Sequence, residues 1–190
     1  VFRSDCQVSL IEGWLSERAA ASLEQRLRAE LSWEQRAIVL FGKPVLQPRL
    51  IAWAGHLPYR YSGQTLEPRP WHAELARVCR KVSEAAQAEF NHVLVNRYRD
   101  GRDSMGWHAD AEPELGPHPK LATLSLGASR GFSIKPRRGR GEHQRYILAS
   151  GSLLLMAGST QEHYVHAVPR TSHPVGERLS LTFREVLRAP

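Results

Sequence analysis

Apolar and polar positions settle into the period of short strands from about residue 90 of this chain. Ahead of that point the period is helical in two places. Ala20, Leu23, Leu27 and Leu31 follow Ser16, whose hydroxyl suits a helix cap. Leu75, Cys79, Val82 and Ala86 repeat the spacing after Pro70, with Phe90 near the end of that second helix. Between the helices, residues 37–41 and 49–53 read as strands joined around a turn containing Gly42 and Pro44. From Asn91 onward the pattern shortens to strands at regular intervals: 92–98, 121–127, 131–135, 145–149, 152–157, 163–168 and 178–184. That rhythm, punctuated by Gly and Pro, predicts a sandwich or barrel. The expected fold is mostly β with flanking helices, one domain over residues 1–190. An N-terminal α/β portion (1–90) would lean on a β core (91–190).

Two of these strands carry polar residues on alternate positions. Leu94, Asn96 and Tyr98 share one side of the first, opposite Val93 and Val95. In R-L-S-L-T-F-R (178–184), Arg178, Ser180, Thr182 and Arg184 oppose Leu179, Leu181 and Phe183. Such alternation describes a strand whose polar side meets water. It equally describes a barrel interior lined with donors for a dicarboxylate, which the planar fork of arginine pairs through both oxygens.

Composition narrows the setting. A chain of 190 residues with 42% hydrophobic content suffices for a substantial core. The longest apolar runs, such as residues 153–157, fall far short of the roughly 18 that a membrane helix needs. Two cysteines without metal or disulfide spacing, and no signal-peptide pattern at the start, lead us to expect an intracellular, cytoplasmic protein. The net charge of +7 suits a polyanionic partner, and it is clustered. Lys135, Arg137, Arg138, Arg140 and Arg145 crowd one Gly-containing segment, and Arg97, Arg99 and Arg102 precede a second motif.

That motif lies in N-R-Y-R-D-G-R-D-S-M-G-W-H-A-D-A-E (96–112), which places His108 and Asp110 two residues apart. At a strand end, residues i and i+2 project from the same side. H-Y-V-H-A-V-P (163–169) supplies a further imidazole, from His163 or His166. Two imidazoles and a carboxylate can occupy one face of an iron(II) ion and leave the opposite positions open. An isolated H-x-D arises easily by chance, so its surroundings decide.

Those surroundings resemble the AlkB family of iron(II)- and 2-oxoglutarate-dependent dioxygenases. The matching pieces are P-R-L-I-A-W (48–53), P-Y-R-Y-S-G (58–63), L-E-P-R-P-W (66–71), N-R-Y (96–98) and G-W-H-A-D-A-E (106–112). L-S-L-G-A-S-R (124–130), H-Y-V-H-A-V-P (163–169) and R-L-S-L-T-F-R (178–184) follow in order. The resemblance implies a double-stranded β-helix, or jelly roll, with an N-terminal nucleotide-recognition lid. It implies Fe(II), with 2-oxoglutarate and O2 as co-substrates. His108, Asp110 and His166 match the metal ligands, because the family's third ligand stands three residues before the proline. Asn96, Tyr98, Arg178, Thr182 and Arg184 match residues that hold 2-oxoglutarate. Ser180 departs from the asparagine common in the family.

By the same resemblance the activity is repair of alkylated bases in DNA, of the 1-methyladenine and 3-methylcytosine type. The base would be flipped out, and formaldehyde, succinate and CO2 released. The flipped base would lie between Tyr61 and His108, with Tyr59 on the substrate strand, Ser62 in the same motif, and Glu112 near the exocyclic amine. V-L-F-G-K (39–43) resembles the hairpin of duplex-active members, which makes Phe41 a candidate wedge into the base stack. Lys135, Arg137 and Arg138 would grip phosphates. Expected partners are duplex DNA, single strands and RNA, with no membrane and the protein acting as a monomer. An RNA demethylase, a protein hydroxylase and a catalytically silent jelly-roll binding module remain alternatives.

Overall fold

The structure is a computed structural model and describes residues 6–40, 42–61, 63–138 and 142–188. Six antiparallel strands make the larger sheet, in the spatial order β1 (Cys6–Ile11), β12 (Leu153–Gly158), β9 (Leu121–Gly127), β14 (Arg178–Arg184), β7 (His92–Tyr98) and β4 (Leu50–Gly55). The smaller sheet runs β11 (Gln144–Leu148), β10 (Arg130–Pro136), β13 (Tyr164–Val168) and β8 (Met105–His108). Two hairpins stand apart: β2 (Ala37–Leu40) with β3 (Lys43–Leu46), and β5 (Tyr59–Tyr61) with β6 (Gln64–Leu66). Helices α1 (Glu17–Glu30) and α2 (Ala73–Ala86) and the single turn α3 (Thr160–His163) complete the elements used below.

Alternation along the central strands explains the layering. Leu179, Leu181 and Phe183 of β14 join Val93 and Val95 of β7 under Leu23 and Leu27 of α1 and Leu75, Val78 and Val82 of α2. The opposite face of the sheet, with Tyr98, Leu121, Leu154 and Met156, packs on Phe132, Ile134, Tyr164 and Val168 of the smaller sheet. The fold is therefore helices, large sheet, small sheet, which is the jelly-roll core expected. Polar residues on the inner side of β7 and β14 consequently face the space between sheets and not water.

Both predicted helices form where the sequence places them. Ser16 caps α1, its hydroxyl accepting from the Ala19 amide at 3.4 Å. His72 caps α2 through Nδ1, and Gln87, with φ of 48°, ends it before Phe90, which lies beyond the helix in the core.

Two expectations need correction. The strands at 37–41 and 49–53 do not pair with each other. β2 folds back on β3 through a turn at Gly42, whose φ of +75° favours glycine, and Pro44 sits inside β3 opposite Val39. An edge strand tolerates proline because its missing N–H has no ladder partner to disappoint. β4 instead pairs with β7 in the large sheet. The line at residue 90 also separates nothing in that sheet, since β1 and β4 are two of its six strands. Phe41, Ser62 and Arg140 lie outside the described residues.

Candidate metal centre

Strand pairing brings the two histidines together. β13 runs antiparallel to β8 with His166 opposite His108, and their rings stand 4.2 Å apart between centroids. Asp110 follows just past the end of β8. One donor atom from each of His108, Asp110 and His166 lies within 4.8 Å of the others. His163, the alternative ligand, ends α3 beside Glu162 and takes no part in the cluster.

The donor atoms are in the right chemical form. The His108 Nδ1–H donates to the Gly106 carbonyl at 2.9 Å, which leaves the Nε2 lone pair facing Asp110. Burial pushes the His166 imidazole down to about 3, helped by His108, so it is neutral at ordinary pH. Burial acts on Asp110 in the opposite direction, but Arg184 and the two imidazoles outweigh it and hold the carboxyl down at about 2. Its Oδ2 accepts from Arg184 Nη2 at 2.8 Å. Its Oδ1 is buried with no hydrogen-bond partner among the described residues, and lies 3.8 Å from His108 Nε2. A lone carboxylate oxygen beside two imidazole nitrogens fits a divalent metal, and the two-histidine, one-carboxylate set suits iron(II).

The residues expected to hold the co-substrate lie beside this centre. Asn96, Tyr98, Ser180, Thr182 and Arg184 line one cavity with His108, Asp110 and His166. Arg178 is not among those lining residues, but its guanidinium lies 5.3 Å from the ring of Tyr98, which is. It is fully buried, donates to Ser125 Oγ at 2.9 Å, and keeps Nε and Nη1 without hydrogen-bond partners among the described residues. Burial lowers its pKa to about 10. Unsatisfied buried guanidinium donors are costly unless an anion completes them, so their presence fits a carboxylate guest. Ser180 sits opposite Asn96 in the register and lines the cavity with a shorter side chain than the family's asparagine.

The expected substrate residues are placed less uniformly. Tyr61 is buried, and its hydroxyl accepts from Arg49 Nη2 at 2.6 Å. Tyr59 shows no exposed surface, packs 4.9 Å from the His92 ring, and donates to Glu112 at 3.1 Å. A direct contact between Tyr59 and a strand is therefore not what this structure offers; Tyr59 holds Glu112 instead. Burial, then the charge of Asp110, raises the Glu112 pKa. Arg138 is exposed, whereas Lys135 lies 4.2 Å over the half-exposed Trp107 ring. Arg137 donates to the Gln161 main-chain carbonyl at 3.3 Å.

Sequence reasoning missed Arg49 and Gln161. Arg49 donates to Asn96 Oδ1 at 2.8 Å and to the Ser104 carbonyl at 3.1 Å, as well as to Tyr61. With Oδ1 occupied, the Asn96 amide group is the part left to face a guest. The P-R-L-I-A-W motif flagged the position of Arg49 but not these partners, which come from 47, 55 and 12 residues away. Nothing in the sequence flagged Gln161.

Comparison with known proteins agrees with this geometry. The 2OG-Fe(II) oxygenase superfamily matches residues 7–184. The chain is 37% identical over 193 residues to human alpha-ketoglutarate-dependent dioxygenase alkB homolog 3, covering 97% of this chain and 68% of that protein. It is 36% identical over 195 residues to human DNA oxidative demethylase ALKBH2, covering 96% and 74%. The solved structure of OsALKBH1 superposes with a TM-score of 0.72 at 17% identity, over 97% of this chain and 99% of that one.

Proposed function

Because this chain belongs to the AlkB family within the 2OG-Fe(II) oxygenase superfamily, we propose that it oxidatively demethylates bases in nucleic acid, DNA foremost. It is an Fe(II)- and 2-oxoglutarate-dependent dioxygenase. The observation that carries the reading is the meeting of His108, Asp110 and His166 at the mouth of a pocket lined by Asn96, Thr182 and Arg184.

Bound there, metal and co-substrate supply C–H oxidation coupled to conversion of 2-oxoglutarate and O2 into succinate and CO2. An N-methyl group becomes N-hydroxymethyl, which releases formaldehyde and leaves the unmodified base. The chain's own residues orient and select. Neutral His108 and His166 with anionic Asp110 would hold the metal. Arg184 would pair one carboxylate of 2-oxoglutarate and Arg178 the other, with Asn96, Tyr98 and Thr182 adding hydrogen bonds.

The substrates proposed are 1-methyladenine and 3-methylcytosine. Their methyl groups lie on the pairing edge, so the nucleotide must leave the stack. Tyr61 and His108 would flank the flipped base. Glu112, a carboxyl group beside Asp110, would favour the cationic methylated form over the neutral base. Phe41 would fill the vacated place in a duplex, while Lys135, Arg138 and the free donors of Arg137 meet phosphates. We place the protein inside the cell with its DNA, acting as a monomer. No helix among the described residues is long and apolar enough to cross a membrane.

RNA is the second reading, because phosphate contacts are sequence-independent and the metal centre does not sense a ribose hydroxyl. Anaerobically reconstituted protein, given Fe(II), 2-oxoglutarate and then air, is assayed on matched methylated DNA and RNA, single- and double-stranded. Formaldehyde and succinate formed together, fastest on DNA, is the expected outcome. No formaldehyde from any methylated nucleic acid would overturn the proposal; faster turnover of RNA would favour the second reading.

A further inference from the structure

The two segments that carry the candidate metal ligands, at the end of β8 and along β13, are joined by a buried residue that is itself no ligand. Gln161, 1% exposed, lies in α3, five residues before His166. Its side-chain carbonyl accepts from the Asp110 main-chain N–H at 2.9 Å, across 51 residues of sequence. Its amide group donates to Met156 Sδ at 3.5 Å, and Met156 lines the pocket. The orientation of the amide is thus fixed by a donor at one end and a soft acceptor at the other.

α3 is in turn clamped from the basic segment. The Arg137 amide donates to the His163 carbonyl at 2.8 Å, and its guanidinium reaches the Gln161 carbonyl. One turn of helix therefore accepts two bonds from Arg137, just past β10, and a third from the Asp110 main chain. Asp110 is then held at two points, its N–H by Gln161 and its Oδ2 by Arg184, which leaves Oδ1 as the oxygen aimed at the imidazoles. A loop residue past a strand end has no ladder to fix its rotamer. Without Gln161 the buried N–H of Asp110 would lose its partner and the carboxylate its main-chain anchor.

We infer that Gln161 is a positioning residue for the metal centre: it sets the Asp110 backbone so that Oδ1 meets the ion together with His108 and His166. Outer-shell partners of metal ligands act in this way on the affinity of a site and not only on fold stability. The inference rests on the metal-binding part of the functional reading and is independent of the nucleic-acid substrate.

Metal-free protein is titrated with Mn(II) in the presence of 2-oxoglutarate, with free Mn(II) read by electron paramagnetic resonance. Two variants are compared, Gln161→Met, of similar size with no acceptor, and Gln161→Glu, which keeps an acceptor oxygen. Gln161→Met is expected to weaken Mn(II) binding by roughly 10- to 100-fold, with Gln161→Glu close to the parent. Parental affinity in Gln161→Met, or an equal loss in both variants, overturns the inference. Should Gln161→Met not fold, amide exchange in the parent decides: slow exchange at Asp110 is expected, and fast exchange overturns. Since no nucleic acid is present, failure of the demethylase reading leaves these outcomes unchanged.

Discussion

Arg184 and Asp110, 74 residues apart, form a charge-assisted hydrogen bond of 2.8 Å in which both side chains are all but inaccessible to water. Both line one cavity with His108 and His166, so the arginine joins a candidate metal ligand to the proposed co-substrate pocket. Removing one partner of a buried ion pair leaves the other charge uncompensated, at a cost of about 3–5 kcal/mol. Arg184→Met should therefore destabilise the metal-free protein by that order. A divalent ion would supply the missing positive charge, so Mn(II) should raise the melting temperature of the variant more than that of the parent. Equal shifts in both would show that Arg184 does not share the charge of Asp110.

Arg178 sits on the same strand face and predicts the opposite sign. Its guanidinium is buried with Nε and Nη1 unpartnered among the described residues, so the fold carries a cost there that an anion would relieve. Arg178→Met should leave the metal-free protein as stable as the parent or more so. Affinity for 2-oxoglutarate should fall by roughly 10- to 100-fold, the equivalent of one charge-assisted bond of about 1.5–3 kcal/mol. Calorimetric titration with 2-oxoglutarate and urea denaturation test the two halves separately. A variant that loses stability without losing affinity would make Arg178 a structural residue only.

These two arginines show what the sequence discloses and what it does not. The alternation in residues 178–184 placed both on one face, and the structure keeps the boundaries of that strand and of 92–98 and 121–127 to the residue. Long strands with one apolar side have only one register that buries it, so they are legible. β3 was missed because all four of its residues are exposed, and β5 and β6 because each has three residues. The candidate metal triad was legible as residue types, while its geometry needed the pairing of His166 with His108. Arg49 and Gln161 act through single polar bonds to distant main chain or side chains, which leave no periodic trace.

His92 gives a pH prediction away from the ligands. It is 1% exposed, its ring lies 4.9 Å from the tilted ring of Tyr59, and neither ring nitrogen has a hydrogen-bond partner among the described residues. Burial, then the positive charge of Arg184, pushes its pKa from 6.5 down to about 3. Below 6.5 the unfolded chain takes up a proton that the folded one refuses, so stability falls as pH falls and the loss continues towards pH 3. One such proton corresponds to at most about 1.4 kcal/mol per pH unit. His92→Leu should remove that slope between pH 6 and pH 4 in urea denaturation of metal-free protein, leaving the contributions of His166 and His108. An unchanged slope would mean that His92 is protonated within the fold.

Phe41 falls outside the described residues, yet its neighbours define a test. Leu40 pairs with Lys43 across the turn, Gly42 has a positive φ, and Val45 and Leu46 of β3 are exposed at 43% and 60%. An apolar hairpin arm without cover suits insertion into a stack better than it suits water. A wedge matters only where a stack must be filled after the base leaves, which is the duplex and not the single strand. Base–aromatic stacking contributes about 1–3 kcal/mol, so Phe41→Ala should lower kcat/KM on methylated duplex by roughly tenfold or more. Turnover of the same lesion in a single strand should be nearly unchanged, and so should Mn(II) and 2-oxoglutarate affinity. Equal losses on both substrates would place Phe41 in the framework of the hairpin and remove it from the base stack.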